Sequence, residues 1–151
     1  MDKTEFCLAE YDETIRMVLD SGGEFRIYPK GTSMLPLIRA GRDSVVLVKP
    51  EGELRRGDIA FYLRDNGKYV LHRAVCADNG RYIMCGDNQL TLEHGIESRH
   101  LIGVAKCLYR GDKRVELHSF GYRLYSLIWR SFFIRRVFFL LRRLKGGSKY
   151  Q

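Results

Sequence analysis

The hydrophobic positions near the start of the chain follow a helical period. Residues 6–20 carry apolar side chains three and four positions apart, with charged residues between them, at Leu8, Tyr11, Ile15, Val18 and Leu19. Gly22 and Gly23 come next, and glycine is common just past the end of a helix. The pattern predicts an N-terminal helix within residues 1–23.

From residue 24 to residue 119 the apolar residues form short runs rich in β-branched and aromatic side chains. The runs are FRIYPK, SVVLVK, DIAFYLR, KYVLHRAV, RYIMCG, HLIGVAKCLYR and KRVELH. Asn66-Gly67 and Asn79-Gly80 separate two pairs of runs and are typical of tight hairpins. No helix-length segment intervenes to make a parallel crossover. The pattern predicts a mainly β domain over 24–119, with six or seven antiparallel strands in a barrel or sandwich.

Residues 120–145 return to a helical period. Uncharged side chains recur every three to four positions along one side, at Tyr122, Ser126, Trp129, Phe133, Val137, Leu140 and Leu144. The longest uncharged run is 124–129, far short of the roughly 20 residues that a membrane span needs. We therefore expect one amphipathic helix, with a short tail to residue 151, that lies on a membrane surface. The alternative is that the stripe packs on the β domain or on a second copy of the chain.

The charge of the protein is concentrated in the same C-terminal segment. The 151 residues include 26 Lys and Arg and 18 Asp and Glu, which gives a net charge of +8. Residues 1–119 hold 18 of each sign, whereas residues 120–151 hold eight basic residues and no acidic one. A basic segment rich in apolar residues favours an anionic membrane surface as partner, and we expect no nucleic-acid partner.

Length and the N-terminus narrow the possible classes of protein. A chain of 151 residues suits one domain with an appendage. The acidic opening MDKTEFCLAEYDET lacks the basic and apolar regions of a secretory signal or leading membrane anchor. The expected location is therefore the cytoplasm, with peripheral association to a membrane.

Three segments of the β region carry side chains with catalytic chemistry. Ser33 lies in a glycine-preceded turn, His72 in a predicted strand and Asp87 in a glycine-led turn. Each residue alone is more often structural, since serine and aspartate in turns usually bind the backbone. Alternation along the strand places Arg73 on the face opposite His72. Together, a hydroxyl, an imidazole and a carboxylate are the groups of nucleophilic acyl transfer.

Five segments in order resemble the signal peptidase I family of serine peptidases and the related self-cleaving repressor domains. They are GTSMLPLIRAGRDSVVLVK, which is similar to the family's S-M-x-P box, then RRGDIAFY, YVLHRAV, YIMCGDN and LIGVAKCL, and they cover residues 25–109. The resemblance implies a serine endopeptidase that cleaves an extended leader-like or signal-like peptide with small side chains at the cleavage site. We expect it to need no metal and no organic cofactor.

The resemblance also implies the roles of the site residues. The bacterial housekeeping branch has a lysine where this chain has His72, and another branch pairs serine with histidine and the aspartate of a G-D-N turn. Ser33 is then the nucleophile, His72 the general base and Asp87 the group that orients the ring. We expect Thr32, Met34 and Pro36 to help bind the substrate or the oxyanion. We expect Asp58 and Arg73 to support the structure of the site.

Two departures from the family leave alternatives open. Many members carry a serine two positions before the nucleophile, where its hydroxyl helps to hold the oxyanion, and this chain has Gly31. A non-catalytic peptide-binding or regulatory module on the same fold is therefore the alternative function. The second departure is the expected lack of an N-terminal membrane helix.

Lys68 is the alternative base, although its place at a predicted hairpin tip favours His72. A histidine base predicts activity that rises near neutral pH, and a lysine base predicts a rise at higher pH.

Overall fold

The structure is a computed structural model that describes residues 3–117, 119–129 and 131–146. In chain order its elements are α1 Lys3–Asp20, β1 Phe25–Ile27, β2 Asp43–Val48, β3 Ile59–Leu63, β4 Tyr69–Asp78, β5 Arg81–Cys85, β6 Glu93–Glu97, β7 Leu101–Arg110, β8 Lys113–Glu116, α2 Phe120–Trp129 and α3 Phe132–Gly146. His118, Arg130 and residues 147–151 of the predicted tail lie outside the described residues. The predicted mainly β fold with an N-terminal helix is confirmed.

All eight strands belong to one antiparallel sheet. Their order is β1-β2-β7-β3-β4-β5-β6, and β8 pairs with β7 beside this path. The β4–β5 hairpin turns through Asn79 and Gly80, whose φ angles of 46° and 73° are those of the predicted two-residue turn. The strand missing from the sequence prediction is β6. Among the described strands no pairing joins β1 to β6, so the ladder is open at these two ends.

Two apolar clusters form the core. The α1 cluster places Ile15 and Leu19 of α1 against the sheet, and a side chain at Gly103 of β7 would meet Leu19 Cδ1 at 2.9 Å. Glycine there lets the helix approach the strand closely. The β5 cluster contains Ala60, Tyr62, Ala74, Tyr82, Met84 and Ile96 of strands β3 to β6, together with Leu54 of the loop before β3.

Residues 120–146 form two helices instead of the predicted one. Ser131 lies between them, where its N–H donates to the Ile128 carbonyl at 3.1 Å and its hydroxyl accepts the Ile134 N–H at 3.5 Å. Serine is a favoured N-cap residue, and here it begins α3. Within the described residues, no helix combines the length and the apolar character needed to cross a membrane.

The predicted apolar stripe divides at this break. Its α2 part packs on the β domain, with Tyr122 buried and Trp129 half-buried. Its α3 part is exposed, as at Phe133 and Leu140. The side chain of Leu144 lies outside the described part of the chain. The alternative of packing on the domain is therefore correct for α2, whereas α3 presents an outward apolar face and its contact with a membrane stays a prediction.

Candidate active site

Ser33 lies in the loop between β1 and β2, in a turn that begins at Gly31. Gly31 has a φ of +84°, which glycine adopts without strain. The Leu35 N–H donates to the Thr32 carbonyl at 3.2 Å and closes the turn. Three apolar side chains after Ser33 anchor the loop in the α1 cluster, those of Met34, Leu37 and Ile38. The loop therefore holds Ser33, half-buried, at the edge of the core.

His72 lies on β4 opposite Ala60 of β3 and is only 4% exposed. Burial lowers the pKa of His72 to about 4, although the charge of Glu93 opposes the shift. His72 is therefore neutral at pH 7. Neutral imidazole is the form that accepts a proton.

The hydrogen bonds behind the ring of His72 select its tautomer. The Tyr62 hydroxyl donates to Glu93 Oε2 at 2.7 Å and lies 3.3 Å from His72 Nδ1. Burial raises the pKa of Tyr62, and the hydrogen bond to Glu93 and its charge raise it further, so the Tyr62 hydroxyl stays protonated. Since a tyrosine has one hydroxyl proton, an oxygen that donates to Glu93 can only accept from Nδ1–H. Nδ1 then carries the imidazole proton, and Nε2 keeps its lone pair.

Nε2 of His72 and the Ser33 turn approach each other at Gly86. A Cβ on Gly86 would lie 3.1 Å from His72 Nε2 and 2.6 Å from the Ser33 carbonyl oxygen. Both atoms are therefore close to the same point, and the distance between Nε2 and the carbonyl oxygen cannot exceed the sum of these two distances. The Asn88 N–H donates to the same carbonyl at 2.7 Å. Among the described residues no hydrogen bond joins the Ser33 hydroxyl to the ring. Such bonds often form only when substrate binds. The structure thus brings Ser33 and His72 to one site.

Glu93 was not predicted from the sequence and is the carboxylate behind His72, with Oε2 at 3.7 Å from Nδ1. Arg64 binds both of its oxygens. Burial alone would raise the pKa of Glu93, but the hydrogen bonds from Arg64 and Tyr62 lower it below its ordinary value. An ionised carboxylate at this place stabilises the imidazolium that forms when His72 accepts a proton. Glu93 lies opposite Met84 in the β5–β6 ladder, and this strand pairing brings it to the site.

The sequence analysis expected Asp87 to orient the His72 ring, but in the structure Asp87 binds other residues. Its buried carboxylate binds the Arg73 guanidinium through Nε and Nη2, both at 2.8 Å, and accepts from the Tyr125 hydroxyl at 2.9 Å. Arg73 lies on the face of β4 opposite His72, and this two-point ion pair holds Asp87 on that side. Within the described hydrogen bonds, the groups at Nδ1 of the ring come from β3 and β6 instead.

Arg73 has the structural role that was expected. Besides Asp87, its Nη1 donates to the carbonyl of Gly57 at 2.9 Å, to the Tyr122 hydroxyl at 2.9 Å and to the Ser126 hydroxyl at 3.2 Å. Burial opposes its charge, but Asp87 outweighs that effect and raises the pKa of Arg73. The guanidinium therefore stays charged and joins the β domain to α2.

The other residues singled out in the sequence lie around this centre. Asp58 closes the turn before β3, where its carboxylate accepts a backbone N–H at 2.7 Å. Met34 lines the cleft in front of the site, whereas Thr32 and Pro36 are exposed and are not part of the described lining. Lys68 is exposed at the β3–β4 hairpin tip, as expected.

The loop that carries Gly86 and Asp87 is held from behind by the C-terminal helices. The Trp129 indole N–H donates to the Asp87 carbonyl at 2.7 Å. Arg135 is 1% exposed, and its Nη1 donates to the carbonyls of Gly86 at 2.9 Å and Gln89 at 3.2 Å. The sequence placed Trp129 and Arg135 in a membrane-binding helix, since an arginine in a basic amphipathic pattern gives no sign of burial.

A cleft of about 670 Å³ opens in front of Ser33 and His72. Much of its lining is apolar and comes from α1, β1, β3 and β4, including Ile15, Phe25, Ile27, Phe61 and Leu71. Among the described strands β1 pairs with β2 alone, so its second edge is free. An extended peptide can add to such a free edge.

The described residues contain no group of three His, Cys, Asp or Glu side chains that could hold a metal ion. No protein-family model, no curated protein and no solved structure matches the chain. The resemblance to signal peptidases therefore depends on the five sequence segments and on the site residues themselves.

Proposed function

We propose that this protein is a serine endopeptidase of the signal peptidase type. The observation that carries the proposal is the approach of the Ser33 turn to Nε2 of a neutral His72. Tyr62 and Glu93 hold the other ring nitrogen in the tautomer that a general base requires. A serine hydroxyl is a weak nucleophile until such a base accepts its proton.

In the proposed reaction, Ser33 Oγ attacks the carbonyl carbon of the scissile bond, and its proton passes to Nε2 of His72. The imidazolium gives this proton to the leaving amine as the C–N bond breaks, which leaves an acyl ester on Ser33. Water then attacks the ester and passes a proton to Nε2, and that proton returns to Ser33 as the acid product leaves. Glu93 stabilises the imidazolium in both halves of the cycle.

The oxyanion of the tetrahedral intermediate needs hydrogen-bond donors, and Gly31 offers no hydroxyl. The Ser33 backbone N–H is one donor in our proposal. The side-chain amide of Gln89 lines the cleft and lies 2.9 Å from the Cβ position of Gly86, beside Nε2 of His72. A flip of this amide exchanges its oxygen and its NH₂ group, so Gln89 is the second donor in our proposal. Loss of one such donor typically costs about 10²- to 10³-fold in rate.

The proposed substrate is a leader-like or signal-like peptide bound in extended form beside the free edge of β1. The resemblance to signal peptidases favours small side chains next to the cut bond. The proposed location is the cytoplasm, at the periphery of a membrane. The excess of basic residues after residue 119 supports this location.

A serine-reactive fluorophosphonate probe tests the nucleophile. We expect the probe to label the wild-type protein on Ser33 and to leave Ser33→Ala unlabelled, with the site found by peptide mass mapping. Ser21→Ala, which removes an exposed hydroxyl at the end of α1, is the matched control and should label normally. Equal labelling of wild type and Ser33→Ala would contradict the proposal.

The second candidate function is a non-catalytic peptide-binding or regulatory module. Gly31 favours it, because the hydroxyl that many signal peptidases use for the oxyanion is missing. Incubation with a peptide library separates the two functions. New peptide termini that depend on His72 support the peptidase, whereas binding without His72-dependent cleavage supports the module.

A further inference from the structure

The outward side of α2 is apolar and has no partner among the described residues. Tyr122 and Ser126 face the β domain, whereas four exposed apolar residues lie on the other side at steps of four, three and one, namely Phe120, Leu124, Leu127 and Ile128. These steps place them on one side of the helix. Arg123 is exposed beside them.

The outward side of α3 continues the same surface. Arg135 faces the domain and Phe139 is half-buried, two positions that are one helical turn apart. On the opposite side are six exposed apolar residues, Phe133, Ile134, Val137, Phe138, Leu140 and Leu141. We call these six residues, together with Phe120, Leu124, Leu127 and Ile128, the outer face.

The charge around the outer face is of one sign. After Glu116 the sequence contains no acidic residue and eight basic ones. Exposed Arg123 and Arg136 border the apolar residues. An apolar helical face bordered by cations matches the boundary between the headgroups and acyl chains of anionic lipids.

The inward side of the same two helices holds the catalytic loop. Tyr125 and Trp129 of α2 bind Asp87, and Arg135 of α3 binds the carbonyl of Gly86. Gly86 is the residue at which the Ser33 turn and His72 meet. A ligand that binds the outer face therefore favours the same helical conformation that supports the site.

We propose that α2 and α3 form a two-sided element, whose outer face docks on an anionic lipid bilayer while its inner side holds the loop of the active site. The docking does not depend on the peptidase reaction. The consequence that docking raises turnover rests on the proposed function.

Vesicle flotation with the full chain tests the docking. We expect wild type to bind vesicles that contain phosphatidylglycerol, to bind pure phosphatidylcholine vesicles less, and to be partly released by salt. The double variant Phe133→Asp, Leu140→Asp should lose binding by at least roughly tenfold, because both side chains leave the acyl region. Met17→Asp is the matched control, since Met17 is an equally exposed apolar residue (65%) on α1. It should bind like wild type.

Two further results would overturn the docking. One is wild-type protein that ignores anionic vesicles. The other is a dimer in light scattering that the double variant dissociates without any vesicle binding by wild type, since a second copy would then cover the outer face.

The only tryptophan of the chain reports the coupling to the site. Trp129 donates to the Asp87 backbone and contacts Phe138 of α3, so its emission should change when anionic vesicles are added. Ser33→Ala should dock and show the same change, because docking precedes chemistry. Peptide cleavage by wild type should rise severalfold with vesicles and stay unchanged in the double variant. Docking with unchanged emission and unchanged cleavage would refute the coupling alone, and absent cleavage under all conditions would refute the peptidase.

Discussion

In the proposed peptidase, the burial of His72 sets the pH range of activity. An ordinary imidazole base predicts activity that rises near neutrality, but the pKa of His72 is lowered to about 4. Only the neutral ring accepts the Ser33 proton. We therefore expect kcat/KM to rise through about pH 4 and to reach its plateau by about pH 6. The measurement is a pH profile of peptide cleavage. A rise at about pH 8 or above that Lys68→Ala abolishes would identify Lys68 as the base instead.

The same shift predicts a pH dependence of stability. The unfolded chain binds a proton at His72 more readily than the folded one, so this residue lowers the free energy of unfolding as pH falls from about 6.5 towards 4. Between pH 7 and about pH 4.5 the loss amounts to about 2 kcal/mol. Urea unfolding at both pH values checks it. His72→Gln should show a decrease that is smaller by about this amount, and an equal decrease in both proteins would contradict the burial of a neutral ring.

Substitutions of two carboxylates separate catalysis from structure. Glu93→Gln weakens the group that supports the imidazolium, and we expect kcat to fall about 10- to 1,000-fold with little change in Tm. Asp87→Asn breaks the buried pair with Arg73 and should cost about 3 to 5 kcal/mol of stability. Glu97→Gln, on the same strand as Glu93 but half-exposed, is the control and should change neither quantity. A folded Asp87→Asn protein that has lost kcat, beside a fully active Glu93→Gln, would restore the role expected from the sequence.

The sequence predicted Ser33 and His72 as site residues but did not single out Glu93. Ser33 and His72 stand in segments with a recognisable pattern. Glu93 stands in QLTLEHGIE, where no motif marks it, and only the pairing of β5 with β6 brings it behind the ring. The sequence also does not reveal that Asp87 pairs with Arg73, which strand alternation places on the face opposite His72.

At the scale of elements, close contact between three segments defines the site. The β5–β6 loop, the Ser33 turn and β4 meet at Gly86, where a Cβ would lie 2.6 Å from the Ser33 carbonyl oxygen. Gly86→Ala should force the turn and the ring apart by a fraction of an ångström to one ångström. A shift of this size typically costs about 10²-fold in rate.

The control for this prediction is another glycine. A Cβ at Gly121 of α2 meets nothing within 4 Å, so Gly121→Ala should keep full activity and stabilise the helix by up to about 1 kcal/mol. Kinetics on a cleavable peptide and thermal unfolding measure both effects. Full activity in Gly86→Ala would show that the close packing at this point is not needed.

Element boundaries were predictable where local signals are strong. Seven strands and the β4–β5 turn follow from apolar runs and Asn-Gly signals. Strand β6 was missed because EHGIE contains one aliphatic residue and a glycine with a φ of +80°. The break in the C-terminal helix was missed because the apolar period continues across it, while the N-cap role of Ser131 depends on backbone geometry.

At the scale of the whole molecule, the C-terminal helices are part of the folded domain and not an independent attachment. The balanced charge of residues 1–119 predicts a β domain that remains folded and soluble when cut after Ser119. The structure favours the opposite outcome, because α2 supplies the hydroxyls of Tyr122 and Ser126 to the buried Arg73. Charge counts along a sequence do not reveal which side chains satisfy a buried ion pair.

Truncation after Ser119 tests this view. It removes the groups that cover the Arg73–Asp87 pair, including Tyr122, Tyr125, Trp129 and Arg135. An uncovered pair and the lost apolar contacts should lower the free energy of unfolding by at least about 3 kcal/mol and abolish activity, because the loop at Gly86 loses its support. A chain that ends after Gly146 is the control and should keep both. If the 1–119 fragment matches the whole chain in urea unfolding and in probe labelling of Ser33, the helices serve the membrane alone, and the site needs nothing from them.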